Sequence, residues 1–223
     1  MTNFCPQAVL FDMDGTLIDS EPVWQIAEDA LITARGQAPR EEVRKAIIGM
    51  RLTDSLSVFR DSYGFTETVA ELRAELIERM CSLIPTHVKP KPGATALIAY
   101  FSANGVPCAI ASSSPLEIIE TAVASQNWRP YMRHLVSGDQ VAHGKPAPDI
   151  YLEAAQRMGF APEVCLSIED SVNGSRSAVA AGTVCYIVPD LSHSTLDQFD
   201  GISPHMFSDL HAVQRSLEHC DFG

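Results

Sequence analysis

The chain has 223 residues, of which 46% are hydrophobic and 20% are charged, a balance typical of folded globular proteins rather than disordered ones. Its net charge of -12 argues against non-specific binding to nucleic acids or anionic membranes, because both are negative. No signal-peptide pattern and no apolar run of membrane-span length is present, and six single cysteines without a C-x-x-C pair favour free thiols. We therefore expect a cytoplasmic protein.

The first predicted element is a strand of four apolar residues, Ala8–Phe11, which an acidic turn follows. Asp12 and Asp14 stand at alternate positions directly after this strand, and Gly15 lets the chain turn. Open α/β sheets bind ligands at the carboxyl ends of their strands, so these acids are candidates for a functional site. An EF-hand calcium loop is excluded, because Val23 stands where that loop needs a glutamate. Two turn-forming aspartates without a function are the simpler alternative.

A long helical zone follows, and no convincing strand interrupts it. Apolar residues recur there at helical spacing, which predicts helices at 23–35, 39–48, 52–63 and 66–84. A cluster of prolines then breaks the pattern. We therefore predict an all-helical cap domain at 20–88 and a core domain made of 1–19 and 89–223, with hinges near 19–20 and 89–93.

Beyond residue 93, short apolar strands alternate with amphipathic helices. Strands are predicted at 106–111, 135–136, 164–168 and 184–188, with a weaker one at 206–207. Helices are predicted at 94–103, 115–125, 148–158, 172–181 and 210–219. Strand–helix–strand repetition with short connections indicates a parallel sheet, to which the first strand also belongs. The predicted fold class is α/β, a Rossmann-like doubly wound parallel sheet with an inserted all-helical cap.

Two further segments carry groups suited to an anion. Ser112 and Ser113 follow the strand at 106–111 and precede a helix, where hydroxyls and backbone N–H groups either bind an anion or simply cap the helix. Lys145 stands in a proline-rich loop, so it is either held in a defined position or solvated at the surface. This loop is not a P-loop, because Pro146 stands where that motif needs serine or threonine.

A second acidic pair, Glu169 and Asp170, follows the strand at 164–168. Capping of the next helix by Asp170 is the simpler interpretation. The carboxyl ends of parallel strands face one crevice, however, so we expect this pair to lie close to the acids that follow the first strand. Clustered carboxylates are unfavourable without a cation, and oxygen-only ligands indicate magnesium rather than zinc. We therefore predict Mg2+ as the cofactor.

The order of these motifs resembles that of the haloacid dehalogenase-like superfamily, above all its phosphatase and β-phosphoglucomutase branch, which has a helical cap after the first strand. The motifs are Asp12-Met-Asp14-Gly-Thr16, Ser112, Lys145-Pro146 and Glu169-Asp170. The likeness covers nearly the whole chain, since the place of the cap and the order of strands and helices agree as well. It implies magnesium-dependent phosphoryl transfer on a small phosphorylated metabolite. We expect no nucleic-acid or membrane partner, and a monomer or weak dimer.

The resemblance also implies a role for each residue. Asp12 would attack the phosphate and form an aspartyl phosphate, while Asp14 would protonate the leaving oxygen and then deprotonate the attacking water. Thr16 would help to hold Asp14. The implied phosphate-binding residues are Thr16, Ser112, Ser113 and Lys145. The implied metal ligands are Asp12, Asp14 through its backbone carbonyl, Asp170, and Glu169 either directly or through a neighbouring group.

The cap is expected to select the substrate. Mutases of this branch place a histidine on the first cap helix, but that position falls near Trp24, and no histidine occurs between Asp19 and Tyr63. Hydrolysis is therefore favoured, and the chain is similar to bacterial sugar-phosphate phosphatases, including those acting on 2-deoxyglucose 6-phosphate. Candidate specificity residues are Glu21, Trp24 and Arg51, although a packed Trp24 and a solvated Arg51 are simpler interpretations. A phosphosugar mutase, a phosphoglycolate phosphatase and a non-catalytic binding module are the alternatives.

Overall fold

The computed structural model describes residues 4–47, 50–192 and 194–222. Its main sheet contains five parallel strands, and the first strand of the chain lies at the centre. In spatial order these strands are Met132–Ser137 (β5), Cys108–Ser112 (β4), Ala8–Phe11 (β1), Cys165–Glu169 (β6) and Val184–Ile187 (β7). The predicted α/β class and parallel sheet are confirmed.

Both faces of the central strand are buried, which explains why its sequence is apolar throughout. Val9 and Phe11 point into one hydrophobic cluster, whereas Ala8 and Leu10 point into the other, as the alternation of a strand requires. The first cluster lies under the helices Ala94–Ala103 (α5), Leu116–Ser125 (α6) and Leu210–Ser216 (α9), and the second under Asp149–Met158 (α7) and Val172–Ala180 (α8). The sheet is therefore covered by helices on both sides.

Four helices stand between the first strand and the rest of the sheet, where the helical zone was predicted. They are Glu21–Thr33 (α1), Glu41–Ile47 (α2), Leu52–Tyr63 (α3) and Val69–His87 (α4). The prediction that α4 ends before Pro85 is wrong, because this proline lies inside its last turn and the Val88 amide donates to the Ile84 carbonyl. The predicted end of the second helix, at 48–49, lies outside the described residues. The division of the chain at 20 and 88 stays a prediction.

The sequence prediction missed a pair of two-residue strands at the junctions of the helical zone. Ile18–Asp19 (β2) and Lys89–Pro90 (β3) pair in antiparallel fashion. The Lys91 amide extends the pairing by donating to the Leu17 carbonyl at 2.9 Å. Both connections between the helices and the sheet therefore run side by side, close to the acids that follow β1.

Two further expectations are wrong. The segment 206–207 is not a strand, since it forms only an isolated bridge in which Met206 pairs with Ile187. Cys5 and Cys220 are not free thiols, because they form a disulfide that joins the two ends of the chain, with Cα atoms 5.5 Å apart. The cysteines at 81, 108, 165 and 185 are free. None of the helices in the described residues is both long and apolar enough to cross a bilayer.

Candidate active site

The carboxyl ends of β1 and β6 bring three acids together. Phe11 pairs with Ile168 in the sheet, so the residues that follow each strand emerge side by side. Asp12, Glu169 and Asp170 each offer a carboxylate oxygen, and these oxygens lie within 4.8 Å of one another. All three side chains are buried. The two acidic pairs that the sequence places after separate strands thus meet at one edge of the sheet, as parallel pairing requires.

Lys145 provides the positive charge beside these acids. Its Nζ donates to Asp12 Oδ1 at 2.5 Å and to Glu169 Oε1 at 2.7 Å, and its side chain is only 7% exposed. The Tyr151 hydroxyl, on α7, donates to the same Glu169 oxygen at 2.7 Å. Of the two interpretations of the lysine loop, the structure supports a lysine held in a defined position rather than a solvated one.

Burial raises the pKa values of two carboxyl groups in this cluster, those of Asp12 and Asp170. The pKa of Asp12 rises to about 7, because burial and the charge of Glu169 outweigh the favourable effect of Lys145. Burial and the charges of Asp12 and Glu169 also raise the pKa of Asp170 well above its usual value. Burial alone would lower the pKa of Lys145, but the two acids that it contacts raise it. The lysine therefore stays charged, while the ionised forms of Asp12 and Asp170 are disfavoured where no cation lies beside them.

This donor set fits a divalent cation. Three buried carboxylates lie together beside one lysine, and a cation between them would relieve their mutual repulsion. Every candidate ligand atom is an oxygen, which suits magnesium better than zinc. Asp12, Asp170 and Glu169 are the side chains placed to hold such an ion.

Asp14 faces the other way. Its Oδ1 accepts hydrogen bonds from the Ser20 hydroxyl at 2.6 Å and from Trp24 Nε1 at 3.5 Å. Its Oδ2 accepts from the hydroxyls of Ser112 at 3.1 Å and Ser114 at 2.8 Å. The Asp14 carboxylate is therefore separate from the acidic cluster and lies between the sheet and α1. The role of its backbone carbonyl as a metal ligand stays a prediction.

Thr16 does not hold Asp14, contrary to expectation. Its hydroxyl donates to Asp170 Oδ1 at 3.0 Å, so it orients an acid of the cluster instead. The reason is the sharp turn at Gly15, whose φ of +83° sends the following residue towards β6. The expected contact of Thr16 with phosphate stays a prediction.

An open cavity of about 480 Å³ lies above the acidic cluster. Asp12, Asp14, Lys145 and Asp170 line its floor, together with Ser112 and Ser113. Glu21 and Met50 line it from the helical side. The cavity therefore joins the nucleophile candidate, the candidate acid–base and the lysine to the helices that were expected to select the substrate.

The three predicted specificity residues lie in different places. Glu21 lines the large cavity, and Trp24 lines a smaller one beside it. Arg51 is among the lining residues of neither, because its guanidinium lies against the lysine loop. Its Nη1 donates to the Ala142 carbonyl at 3.3 Å, and a Cβ at Gly144 would lie 2.4 Å from its Nε.

Several site residues were not found from the sequence. Ser114 directly follows Ser112 and Ser113, the two serines that the sequence singled out, so its bond to Asp14 could have been suspected. Tyr151 lies in the middle of a helix and carries no local signal. Gly174 gives no signal either, yet a Cβ there would lie 1.9 Å from Glu169 Oε1, so only glycine leaves room for that acid.

A family model of haloacid dehalogenase-like hydrolases matches residues 6–182. The chain belongs to this family. Hexitol phosphatase B of Escherichia coli (strain K12) is 31% identical to this haloacid dehalogenase-like hydrolase over 187 residues, which are 82% of this chain and 83% of the relative. The bifunctional riboflavin kinase/FMN phosphatase of Arabidopsis thaliana is 36% identical over 189 residues, which are 84% of this chain. The match spans about half of that relative, 49% of its length.

Among solved structures, CbbY from Rhodobacter sphaeroides in complex with phosphate superimposes with a TM-score of 0.85 and 26% identity, over 96% of this chain and 100% of that one. A mutant of CbbY in complex with xylulose-(1,5)bisphosphate gives a TM-score of 0.81 and 26% identity, over 92% of this chain and 95% of that one. The family and these relatives make this haloacid dehalogenase-like hydrolase a phosphoric monoester hydrolase.

Proposed function

We propose that this hydrolase is a magnesium-dependent phosphatase that releases inorganic phosphate from small phosphorylated metabolites, chiefly sugar phosphates. The reaction would pass through an aspartyl phosphate on Asp12. The observation that carries the proposal is the buried group of Asp12, Glu169 and Asp170 with Lys145 bonded to two of its members. The names of the relatives, hexitol phosphatase and CbbY with bound phosphate, support the substrate class.

Asp12 is the nucleophile in this mechanism. A carboxylate that attacks a phosphate dianion meets like-charge repulsion, so the site has to supply positive charge. Lys145, 2.5 Å from Asp12, supplies part of it, and Ser112 and Ser113 line the same cavity, where they would bind phosphoryl oxygens. A magnesium ion held by the acidic cluster would supply the rest and stabilise charge on the transferring group.

Asp14 is the general acid and base. It protonates the leaving oxygen as the aspartyl phosphate forms, and then takes a proton from the water that hydrolyses this intermediate. Its hydrogen bonds from Ser20 and Ser114 hold the carboxylate at the wall of the cavity, away from Asp12 and the other acids. The two aspartates can therefore play different roles although only one residue separates them.

Hydrolysis is preferred to the phosphosugar mutase alternative. Trp24 occupies the helix position where the mutase branch is expected to carry a histidine, and its indole N–H faces Asp14 at 3.5 Å. A phosphoglycolate phosphatase remains the alternative within the hydrolases. The proposal includes a helical cap at 20–88 that opens and closes over the site, a cytoplasmic location, and a monomer or weak dimer.

The first experiment measures inorganic phosphate released from p-nitrophenyl phosphate and glucose 6-phosphate. We expect release to require magnesium and to stop when the ion is chelated. Asp12→Asn should abolish release and retain the wild-type circular dichroism spectrum, because amide nitrogen cannot attack phosphorus as a carboxylate does. Asp54→Asn, which changes an exposed aspartate on α3, is the matched control and should retain activity. Ordinary turnover by the Asp12 variant, or metal-independent release, would contradict the proposal.

A further inference from the structure

A second cavity, of about 220 Å³, opens beside Asp14. Asp14, Glu21, Met50 and Ser113 line both cavities, so the two are continuous. Asp12 and Asp170 line only the larger one. Because Asp14 is proposed to protonate the leaving oxygen, the group attached to that oxygen lies on the Asp14 side, and the small cavity can receive it.

The small cavity has a negative wall. Glu21 and Glu28 line it from α1, and Arg44 lines it from α2. Arg44 is already neutralised, because its Nη2 lies 2.5 Å from Asp29 Oδ1 and its Nη1 lies 3.7 Å from Glu41 Oε2. Two acidic residues therefore line the cavity together with an arginine that is already ion-paired with Asp29 and Glu41.

Glu28 responds to this environment. Burial raises the pKa of Glu28 to about 7, and the charges of Glu21 and Asp29 raise it as well. Arg44 acts in the opposite direction but does not cancel these effects. An additional anion next to Glu28 would meet the same repulsion.

We propose that this small cavity receives the uncharged, hydroxyl-bearing part of a phosphate monoester and rejects a second anionic group, with Glu28 as the residue that discriminates. A hydroxyl can donate a hydrogen bond to the Glu28 carboxylate, whereas an ionised carboxylate or second phosphate can only accept and is repelled by it. The inference rests on the proposed phosphatase function and narrows its substrates. It separates this chain from CbbY, whose mutant was solved with a bisphosphate, and from a phosphoglycolate phosphatase, whose substrate carries a carboxylate.

The experiment compares two substrates with the same carbon number and phosphate position, glucose 6-phosphate and 6-phosphogluconate. Phosphate release by the magnesium-loaded enzyme gives kcat/KM for each. We expect the wild-type enzyme to favour glucose 6-phosphate by about tenfold or more, because like charges repel strongly in a partly desolvated cavity. Glu28→Gln should reduce this ratio about tenfold, mainly by improving kcat/KM for 6-phosphogluconate. Both substrates carry the same phosphate group, so an effect of a variant on that group cancels in the ratio of the two kcat/KM values.

Glu78→Gln is the matched control, because Glu78 lies on α4 and lines a separate cavity. This variant should keep the wild-type ratio. A wild-type ratio near one, or an unchanged ratio in Glu28→Gln, overturns the inference while p-nitrophenyl phosphate is still hydrolysed. If the wild-type enzyme releases phosphate from none of the three substrates, the proposed function fails and the inference fails with it. The wild-type ratio tests the inference without any variant.

The pH dependence of the ratio adds a second measurement. Glu28 gains its charge as pH rises through about 7, facing Glu21 and Asp29 of its own helix, Arg44 of α2 and Asp14 of the core. The wild-type preference for glucose 6-phosphate should therefore widen between about pH 6 and pH 8. The widening should be absent in Glu28→Gln. An equal pH dependence in both proteins would assign the discrimination to another group and overturn the role of Glu28.

Discussion

Gly15 is the residue on which the arrangement of the acids depends. Its φ of +83° lies in the left-handed region, which side chains other than glycine rarely adopt. A Cβ at this position would also lie 2.2 Å from Asp170 Oδ2. The turn therefore allows Asp14 to face the helices while Asp170 stays beside Asp12.

Gly15→Ala should weaken magnesium binding by about tenfold or more, because the new methyl group displaces the Asp170 carboxylate from the proposed ligand set. Gly36→Ala is a matched control, since Gly36 also has a positive φ of +70° but nothing lies within 4 Å of its Cβ position. Calorimetric titration with magnesium measures both affinities. Equal affinities in the two variants would show that the turn does not position a metal ligand.

Asp14→Asn should distinguish leaving groups. An alkyl oxygen needs a proton to leave, whereas p-nitrophenolate leaves without one. We expect kcat/KM for glucose 6-phosphate to fall by about 100-fold or more, and kcat/KM for p-nitrophenyl phosphate to fall much less. Initial rates of phosphate release measure both constants. A loss of equal size for the two substrates would contradict the assignment of Asp14 as the general acid.

At the scale of elements, α1 connects the site to the helical zone. Its start lies next to β2, Trp24 in its first turns contacts Asp14, and Glu28 one turn later lines the small cavity. Val23, Ala27 and Leu31 on its other face are buried in the core of the helices. The helix is therefore held by apolar packing, while its polar face meets the active site.

The raised pKa of Glu28 makes stability depend on pH. The folded chain holds this proton with a pKa of about 7 instead of 4.5 in the unfolded chain. Between these two pH values the Glu28 carboxyl holds its proton more often in the folded chain than in the unfolded chain. The contribution of Glu28 to the free energy of unfolding therefore decreases as pH rises from about 4.5 to 7, and then stays low. Ionised Glu28 thus makes the fold less stable above about pH 7 than protonated Glu28 does below about pH 4.5.

The stability of Glu28→Gln relative to the wild-type protein should therefore be greater at pH 8 than at pH 5. We expect the difference in free energy of unfolding to change by on the order of 1 kcal/mol, since Glu28 is only partly buried. Urea unfolding of both proteins at the two pH values measures the change, and subtraction removes the other titrating groups. A difference independent of pH would contradict the raised pKa.

At the scale of the whole molecule, the two ends of the chain are joined beside α5. Cys5 and Cys220 are linked across a sequence separation of 215 residues. The hydroxyl of Tyr100 donates to the Leu217 carbonyl at 3.0 Å, and the ring of Tyr100 packs against Phe222. The disulfide therefore closes the chain at a place that is already held by packing.

Cys5→Ser should destabilise the oxidised protein by about 2–4 kcal/mol, because the disulfide restricts the unfolded chain over nearly its whole length. A reducing agent should lower the melting temperature of the wild-type protein to that of the variant and leave the variant unchanged. Cys81→Ser, which removes a free thiol, should keep the response to reductant. A melting temperature that does not respond to reductant in the wild-type protein would contradict a stabilising disulfide.

The sequence by itself determined the fold class and most of the helices and main-sheet strands. The bounds of β1, α3 and α5 agree with their predictions, because a buried strand and an amphipathic helix are local patterns of apolar residues. The order of strands and helices then required a parallel sheet, and that sheet required the acids after β1 and β6 to emerge at one edge.

Only the tertiary structure decided which way each polar group faces. Thr16 reaches Asp170 across 154 positions of sequence, and Tyr151 reaches Glu169 from the middle of a helix. Contacts between distant segments also determine three other features: the hydrogen bonds of Asp14, the negative wall around Glu28 and the disulfide between the chain ends. Such contacts follow from packing of the whole chain, because periodicity records which side of an element is buried but not which neighbour lies against it.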